Sequence, residues 1–404
     1  MRTTYRRSIA ASVAGLAMVA AGAASAADVK LSFLGGFTGP IESLTPPIFE
    51  ATKMAVDQIN EQGGLLDGDN LVLVQADTTC IDATAASNAA DRMVNAEKVV
   101  GIVGALCSGA TIAAANSAAI PGGVVLVSPA STSPAVTDLD DNDLVFRTTP
   151  SDAYQGEVLA RILKGKGKDN IAITYVNNDY GKGFADALEA AFQAEGGTVV
   201  AKEAHEDGKA DYRAEIGSLA SAGAESLVVL AYVDGSGQTI IRQALESGDF
   251  ADFAGGDGMV GSTLVTAVGE GRLDGMIATK IGSAETPGTA AYTEAAEAAG
   301  FNPSATFASQ GYDAAFLLAL AIQQKGSATR DGLNEALRAV ASEPGEVVYP
   351  GEWEKAKKLL EEGTDINYEG ASGTHEFDDN GDVPGVIIEM MVEGSGFKEV
   401  QQVN

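Results

Sequence analysis

The sequence predicts an α/β fold with parallel central sheets, divided between two lobes. Short apolar runs alternate with amphipathic segments along most of the chain, and this alternation is typical of βαβ units. Most of the apolar runs are continuous, as in strands that are covered on both faces. The 404 residues also exceed what a single hydrophobic core usually holds, which favours two lobes.

Eight apolar runs are predicted to be strands: residues 29–34, 71–74, 99–103, 124–127, 171–176, 198–200, 227–230 and 276–279. Helices are predicted where apolar residues recur every three or four positions. The clearest pattern lies in residues 184–195, where Phe184, Leu188 and Phe192 share one face. The other predicted helices are residues 48–60, 83–95, 110–119, 238–247, 289–299, 312–324 and 331–341.

Two changes of pattern predict where the chain passes between lobes. The first series of strands and helices ends near Arg147, and a second series starts at Ile171. After residues 280–287 the pattern becomes mainly helical. We therefore expect a first lobe of residues 27–147 and about 281–345. The second lobe is expected to contain residues 148–280 and about 346–404.

The first 26 residues are predicted to be a secretory signal peptide. Three arginines precede an Ala-rich apolar stretch that ends in the small-residue pattern Ala24-Ser25-Ala26. The apolar stretch is too short for a membrane anchor, and no cysteine near Ala26 could carry a lipid. We therefore expect cleavage near Ala26 and a protein exported to the periplasm.

The charge of the chain excludes several classes of partner. Removal of residues 1–26 takes away three arginines and no acidic residue, which moves the net charge from −30 to −33. Nucleic acids and anionic lipids need basic surfaces, so neither is expected as a partner.

Cys80 and Cys107 are the only cysteines, and an even pair in an exported protein suggests a disulfide.

Signatures of enzymes and cofactor sites are missing from the sequence. It contains no G-x-S-x-G nucleophile elbow and no P-loop, and it has only two histidines. Asp378, Asn380 and Asp382 are spaced like calcium ligands, but Val383 stands where a calcium loop requires glycine. We expect a turn there, and we expect no catalytic residue, metal or cofactor.

Two polar turns follow neighbouring strands of the first lobe. Open α/β sheets bind ligands at the carboxyl ends of their strands. After residues 99–103, a helix start near Ser108 offers free backbone N–H groups and a hydroxyl, which suit a carboxylate. A simple N-cap role for Ser108 is the alternative. Residues 128–134 offer the same groups after the next strand.

The second lobe contributes polar turns of a different kind. Residues 177–181 and 232–235 each follow a predicted strand. Asp257 lies among three glycines, which permit close approach of a ligand, and its carboxylate could pair with an ammonium group. An exposed turn is the alternative for Asp257. Trp353 lies in an amphipathic stretch and is expected to pack rather than to bind.

The order and spacing of these segments resemble the branched-chain amino acid class of periplasmic receptors, the type I solute-binding proteins of ABC transporters. The similarity covers nearly the whole chain after the signal peptide. The segments that carry it are residues 36–40, 55–60, 63–65, 77–80, 106–108, 128–134, 147–149, 152 with 155–156, 179–181, 242–244 and 377–378 with 381–382.

The resemblance implies a periplasmic binding protein type I fold of two Rossmann-like lobes, with three hinge crossovers between the lobes and a disulfide in the first lobe. It implies that Ser108, Ala130 and Thr132, with Ser131 in the same turn, hold a ligand carboxylate. Tyr180 would face the ligand from the second lobe. The sequence departs from the family at three positions: Asp257 replaces the expected Glu, Leu44 replaces a pocket Tyr, and Tyr232 lies one residue from where a second pocket Tyr aligns.

These observations predict a receptor that captures a branched-chain or other neutral amino acid between its lobes. The first lobe would bind the ligand, the second would close over it, and the closed form would deliver it to an ABC permease. A small amide, urea, or an aromatic or other carboxylic acid is the alternative ligand. A sensor is the alternative role, and a monomer is expected.

Overall fold

The computed structural model describes Met1 and residues 26–403, so the predicted signal peptide lies outside the described residues except at its ends. Five parallel strands form the first sheet, in the order β2-β1-β3-β4-β5. They are β1 (Asp28–Gly35), β2 (Asn70–Asp77), β3 (Gly101–Gly104), β4 (Val125–Ser128) and β5 (Val145–Arg147). Every residue of β3 and β4 is buried, as the continuous apolar runs predicted, and so is every residue of β5, which was not predicted.

Helices cover both faces of the first sheet. Four of these helices lie between β1 and β5 in the chain: α1 (Thr45–Glu61), α2 (Ala83–Asp91), α3 (Ser108–Ala114) and α4 (Pro134–Thr137). Both α2 and α3 continue into π-helical turns, at Arg92–Glu97 and Ala115–Ala119. The remaining helices come from later in the chain and are α10 (Pro287–Ala299), α11 (Ala308–Lys325) and α12 (Leu333–Ala341).

A seven-stranded sheet forms the second lobe, in the order β14-β13-β10-β9-β8-β6-β7. Its strands are β6 (Asn170–Val176), β7 (Thr198–His205), β8 (Ser226–Leu230), β9 (Phe253–Gly255), β10 (Ile277–Ile281), β13 (Ile387–Glu393) and β14 (Gly396–Val403). The helices are α5 (Asp152–Gly165), α6 (Asp179–Ala194), α7 (Arg213–Ser221), α8 (Ser236–Ser247) and α9 (Ser262–Val268). Pairing is parallel except around β13, which runs antiparallel to β10 and β14.

The chain passes between the sheets three times, at residues 147–152, 281–287 and 377–387. The predicted fold class, two α/β lobes with parallel central sheets, is therefore confirmed. The predicted disulfide is also present: Cys80 and Cys107 are bonded, with Cα atoms 5.3 Å apart, and both flank strands of the first sheet. Among residues 26–403, no helix has the length and apolar character needed to cross a membrane.

We predicted that residues 346–404 belong to the second lobe, and this prediction is wrong for residues 346–368. β11 (Glu346–Val348), α13 (Trp353–Glu361) and β12 (Ile366–Tyr368) pack on α1, α11 and α12 of the first lobe. The reason is that α11 is buried on every side from Ala308 to Gln323 and needs an outer cover.

Trp353 supplies part of that cover. Its side chain is fully buried, packs edge-on against Phe316, and donates a hydrogen bond from Nε1 to the Gly64 carbonyl (3.1 Å). Tyr368 stacks on the same phenylalanine. The expectation that Trp353 has a packing role is thus confirmed. Of the segment 346–404, only the residues from β13 onward belong to the second sheet.

Candidate functional site

The polar turns after β3 and β4 meet at one edge of the first sheet, because the two strands are parallel neighbours. The Ser128 hydroxyl donates to the Ala105 carbonyl (2.6 Å), which joins the two turns. The backbone N–H of Ser133 donates to the Ser108 hydroxyl (3.2 Å). Ser108 is the first residue of α3 and makes no capping bond of its own, since the N-cap position is Cys107. The N-cap alternative for Ser108 is therefore not what the structure contains.

Three predicted residues of the second lobe come together at the ends of β8, β9 and α6. The Tyr180 hydroxyl donates to Asp257 Oδ1 (3.1 Å) and accepts from the Gly258 backbone N–H (3.2 Å). The rings of Tyr180 and Tyr232 stack with centroids 5.1 Å apart. Asn178 Nδ2 donates to the Tyr232 hydroxyl (3.2 Å). Asp257 is 3% exposed, so the exposed-turn alternative does not describe it.

A cavity of about 30 Å³ lies between these two groups, and both lobes line it. This volume is far below the usual range for ligand pockets, so a solute of several heavy atoms needs the lobes to move apart. Most of the wall is apolar, and a few polar groups from opposite lobes face into the space. The lining residues are Ile41, Leu44, Ile48, Leu106, Cys107, Ser108, Ala130 and Phe307 of the first lobe, and Tyr180, Tyr232, Asp257 and Gly258 of the second.

Six of the eight predicted ligand residues line this cavity, and two do not. Ser131 is turned away because its hydroxyl bonds the Thr111 hydroxyl (2.7 Å) and lies near the Ala105 carbonyl. Thr132 is fully buried, and its carbonyl accepts the backbone N–H of Asp152 (2.7 Å). Both residues therefore shape the turn behind the lining rather than the cavity surface itself.

Arg147, a buried cation, holds that same turn in place. Its guanidinium donates from Nη1 to the carbonyls of Ser131 (3.3 Å) and Ser133 (3.1 Å). Nη2 reaches the Asp382 carboxylate (2.5 Å) on the third crossing between lobes. The binding turn and two of the crossings are thus joined through one side chain.

A buried polar network stands behind Asp257. Gln155 Nε2 donates to Asp257 Oδ1 (3.1 Å) and to the Thr279 hydroxyl (2.9 Å). Burial raises the pKa of Asp257 to about 6, against the opposing effect of the Tyr180 and Gln155 hydrogen bonds. Burial also raises the pKa of Asp152 well above its usual range, and the nearby charge of Asp257 adds to that shift.

Sequence reasoning missed several of the lining residues. Ile41, Ile48, Leu106 and Phe307 are apolar side chains that no local pattern separates from ordinary core residues. Phe307 alone carries a structural signal, because a bulky residue at φ +63° is unusual and often lies at a functional site. That signal is invisible before the backbone is known.

Buried Asp313 and His375 and half-buried Ser372 form a trio of the types used in hydrolase triads, but the arrangement differs. A triad histidine contacts serine through one ring nitrogen and aspartate through the other. Here Nε2 of His375 faces both Ser372 (3.3 Å) and Asp313 (3.3 Å), and the Ser372 hydroxyl donates directly to Asp313 (2.6 Å). This trio fastens residues 368–377 to α11.

Two α/β lobes around a small enclosed cavity, lined by opposed polar groups, define a solute-binding protein. The chain belongs to the receptor family ligand-binding region family, whose model matches residues 48–391. The predicted resemblance is confirmed, and the family and its relatives named below are binding proteins.

Individual relatives agree with this assignment. The leucine-, isoleucine-, valine-, threonine- and alanine-binding protein of Pseudomonas aeruginosa is 32% identical over 329 residues, which cover 80% of this chain and 86% of the relative. The chemotactic signal transduction system substrate-binding protein BasB of Halobacterium salinarum is 29% identical and covers 83% and 79% of the two chains. A crystal structure of a leucine-binding protein from Thermotoga maritima matches with a TM-score of 0.79 and 26% identity, covering 93% of this chain and 99% of the other.

Proposed function

We propose that this protein captures a neutral aliphatic amino acid between its lobes and delivers it to an ABC permease. The observation that carries the proposal is the placement of the Asp257 carboxylate in a small cavity whose opposite wall holds Ser108 and Ala130. A zwitterion needs an anion near its ammonium group and hydrogen-bond donors near its carboxylate. Both requirements are met from opposite lobes.

The ligand carboxylate is assigned to the first lobe. Ser108 begins α3, where backbone N–H groups lack helical partners and favour an anion. Ala130 lies in the neighbouring turn and lines the same cavity. The Arg147 and Ser128 hydrogen bonds hold this turn rigid, which lowers the entropy cost of binding.

The ligand ammonium is assigned to Asp257, with Tyr180 and Gln155 holding the carboxylate in position. A solute without an ammonium group would leave this buried carboxylate unpaired, which costs free energy. This argument places amides, urea and simple carboxylic acids below amino acids as ligands.

The ligand side chain is assigned to the apolar part of the wall. Leu44, Leu106 and Phe307 offer no hydrogen-bonding side chain, so an aliphatic group such as that of leucine or valine fits the chemistry. Four of the five named ligands of the Pseudomonas aeruginosa relative, all but threonine, have side chains of this kind.

Calorimetric titration of the mature protein tests the proposal, after a thermal-shift screen over amino acids, amides and aromatic acids. We expect leucine or a related amino acid to bind, and Asp257→Asn to weaken binding at least a hundredfold, about 3 kcal/mol, because the ammonium loses its counter-charge. Glu42→Gln is the control, since Glu42 is exposed. Unchanged affinity in the Asp257 variant would contradict the assignment of the ammonium.

The same proposal covers location and partners. We propose export to the periplasm, cleavage near Ala26, action as a monomer without catalysis or cofactor, and a permease as the partner that recognises the closed form. The relationship to a chemotactic substrate-binding protein supports a second role, in which the closed form signals to a membrane receptor. Pull-down of the ligand-bound protein against permease or receptor subunits separates the two roles.

A further inference from the structure

The two lobes also touch each other outside the cavity, at its outer rim. The backbone N–H of Asp234 in the second lobe donates to the carbonyl of Pro40 in the first (3.1 Å). The backbone N–H of Ser43 in the first lobe donates to Asp234 Oδ2 (2.8 Å). One residue of the second lobe therefore makes a reciprocal pair of hydrogen bonds with the loop before α1.

The Asp234 carboxylate is held in position for this contact. Its other oxygen, Oδ1, accepts a hydrogen bond from the Thr263 hydroxyl of the second lobe (3.0 Å). The next residue, Gly235, lies so close to the first lobe that an added Cβ would be 2.7 Å from Pro40 Cβ. A side chain there would separate the two loops, so this close contact depends on glycine.

Asp234 does not line the cavity, but residues near both ends of its contact with the first lobe do. Ser43, its partner, precedes Leu44 in the cavity wall, and Tyr232 lies two residues before it. The contact therefore determines where two lining residues sit without itself facing the ligand.

We propose that Asp234 is a latch that sets the affinity of this receptor by stabilising its closed form, without contributing to ligand selectivity. The inference rests on the proposed function, in which closure traps the ligand. Hydrogen bonds between the lobes exist only when the lobes are closed. Their free energy therefore acts entirely on the equilibrium between the open and closed forms. By linkage, the same factor appears in the affinity for every ligand that requires closure.

The first test compares Asp234→Ala with wild type by calorimetry, using leucine and alanine as the two probes. We expect both affinities to fall about tenfold, with their ratio unchanged, because a charge-assisted hydrogen bond is lost outside the cavity. Stopped-flow measurement should place the loss in the dissociation rate. Glu42→Ala is the matched control: it removes one exposed carboxylate from the same rim.

Two further variants refine the test. Asp234→Asn keeps an acceptor oxygen without the charge, so its loss should fall between wild type and Asp234→Ala. Thr263→Val removes only the hydrogen bond that orients the carboxylate, so a weaker loss of the same kind is expected. Three results would each contradict the proposal that Asp234 stabilises the closed form. They are an affinity of Asp234→Ala within twofold of wild type, an equal loss of affinity in Glu42→Ala, and a changed ratio of the leucine and alanine affinities.

Small-angle scattering of the ligand-free proteins separates this proposal from the proposed function. A latch predicts a larger radius of gyration for Asp234→Ala than for wild type, whatever solute the protein binds. If wild type binds no amino acid but the variant is more open, the proposed function fails and the latch stands. If wild type binds amino acids and the variant is neither weaker nor more open, the latch alone fails.

Discussion

Asp257 is a buried carboxyl group whose pKa is raised to about 6 by burial, and this has a consequence for ligand capture. The ammonium of an amino acid pairs only with the ionised form. Below pH 6 the carboxyl group takes up a proton and loses its charge, so affinity should fall as pH drops and be fully present above about pH 7.

We therefore expect leucine to bind about tenfold more weakly at pH 5 than at pH 7.5, as measured by calorimetry. The proton must leave Asp257 for the ion pair to form, so binding near pH 6 should release protons, detectable as a buffer-dependent enthalpy. Asp257→Asn should bind weakly at every pH, with no such slope. A flat pH profile in wild type would contradict the ionised-carboxylate assignment.

At the scale of elements, the disulfide ties the loop after β2 to the start of α3. Cys80 and Cys107 are 27 residues apart, and closing a loop of this length in the unfolded chain corresponds to about 3.5 kcal/mol of stability. We expect the Cys80→Ala/Cys107→Ala double variant to unfold at lower denaturant concentration, with a free energy of unfolding reduced by about that amount.

Reduction of the wild-type disulfide provides the control, because it breaks the same bond without changing either side-chain position. It should reproduce the loss and have no effect on the double variant. Cys107 also lines the cavity and precedes Ser108, so both treatments should weaken ligand binding as well. Equal stability of the oxidised and reduced proteins would show that α3 is held by packing alone.

At the scale of the whole molecule, we propose that residues 1–26 direct export of the protein. Residues 2–25 lie outside the described part of the chain, and the described chain enters the first sheet at Asp28. Expression of the full sequence in a host with a secretory pathway should give a mature protein that starts near Ala27. Intact-mass measurement of the periplasmic fraction checks this, and a full-length product retained in the cytoplasm would contradict it.

The long elements could be predicted from sequence because their patterns are local. Continuous apolar runs predicted β1, β4, β6 and β8, and a period near 3.6 predicted α1, α6 and α11. The short strands β5 and β12, of three residues each, have too few positions for a period, and β14 is mostly exposed on the sheet edge. These elements are fixed by neighbours that the local sequence does not reveal.

The site divides in the same way. Ser108 and Asp257 could be proposed because they occupy turns at strand ends, where the sequence carries hydroxyls, glycines and a lone acid, whereas Ala130 was implied by the family resemblance. Ser131 and Thr132 belong to the same turn, and only their hydrogen bonds and burial show that they lie behind the lining. Likewise, Asp152 and Gln155 are ordinary helix residues until packing buries them behind Asp257.

The sequence by itself determined the α/β class, most of the long strands and helices, the paired cysteines and the turn chemistry of the site, because each depends on residues close together in the chain. Tertiary structure alone decided that residues 346–368 cover α11 and that Phe307 joins the cavity. It also brought Asp234 to Ser43, across 191 positions of the chain. Periodicity and residue type predict whether a side chain is buried or polar. Which residue that side chain contacts depends on how the two sheets are placed against each other.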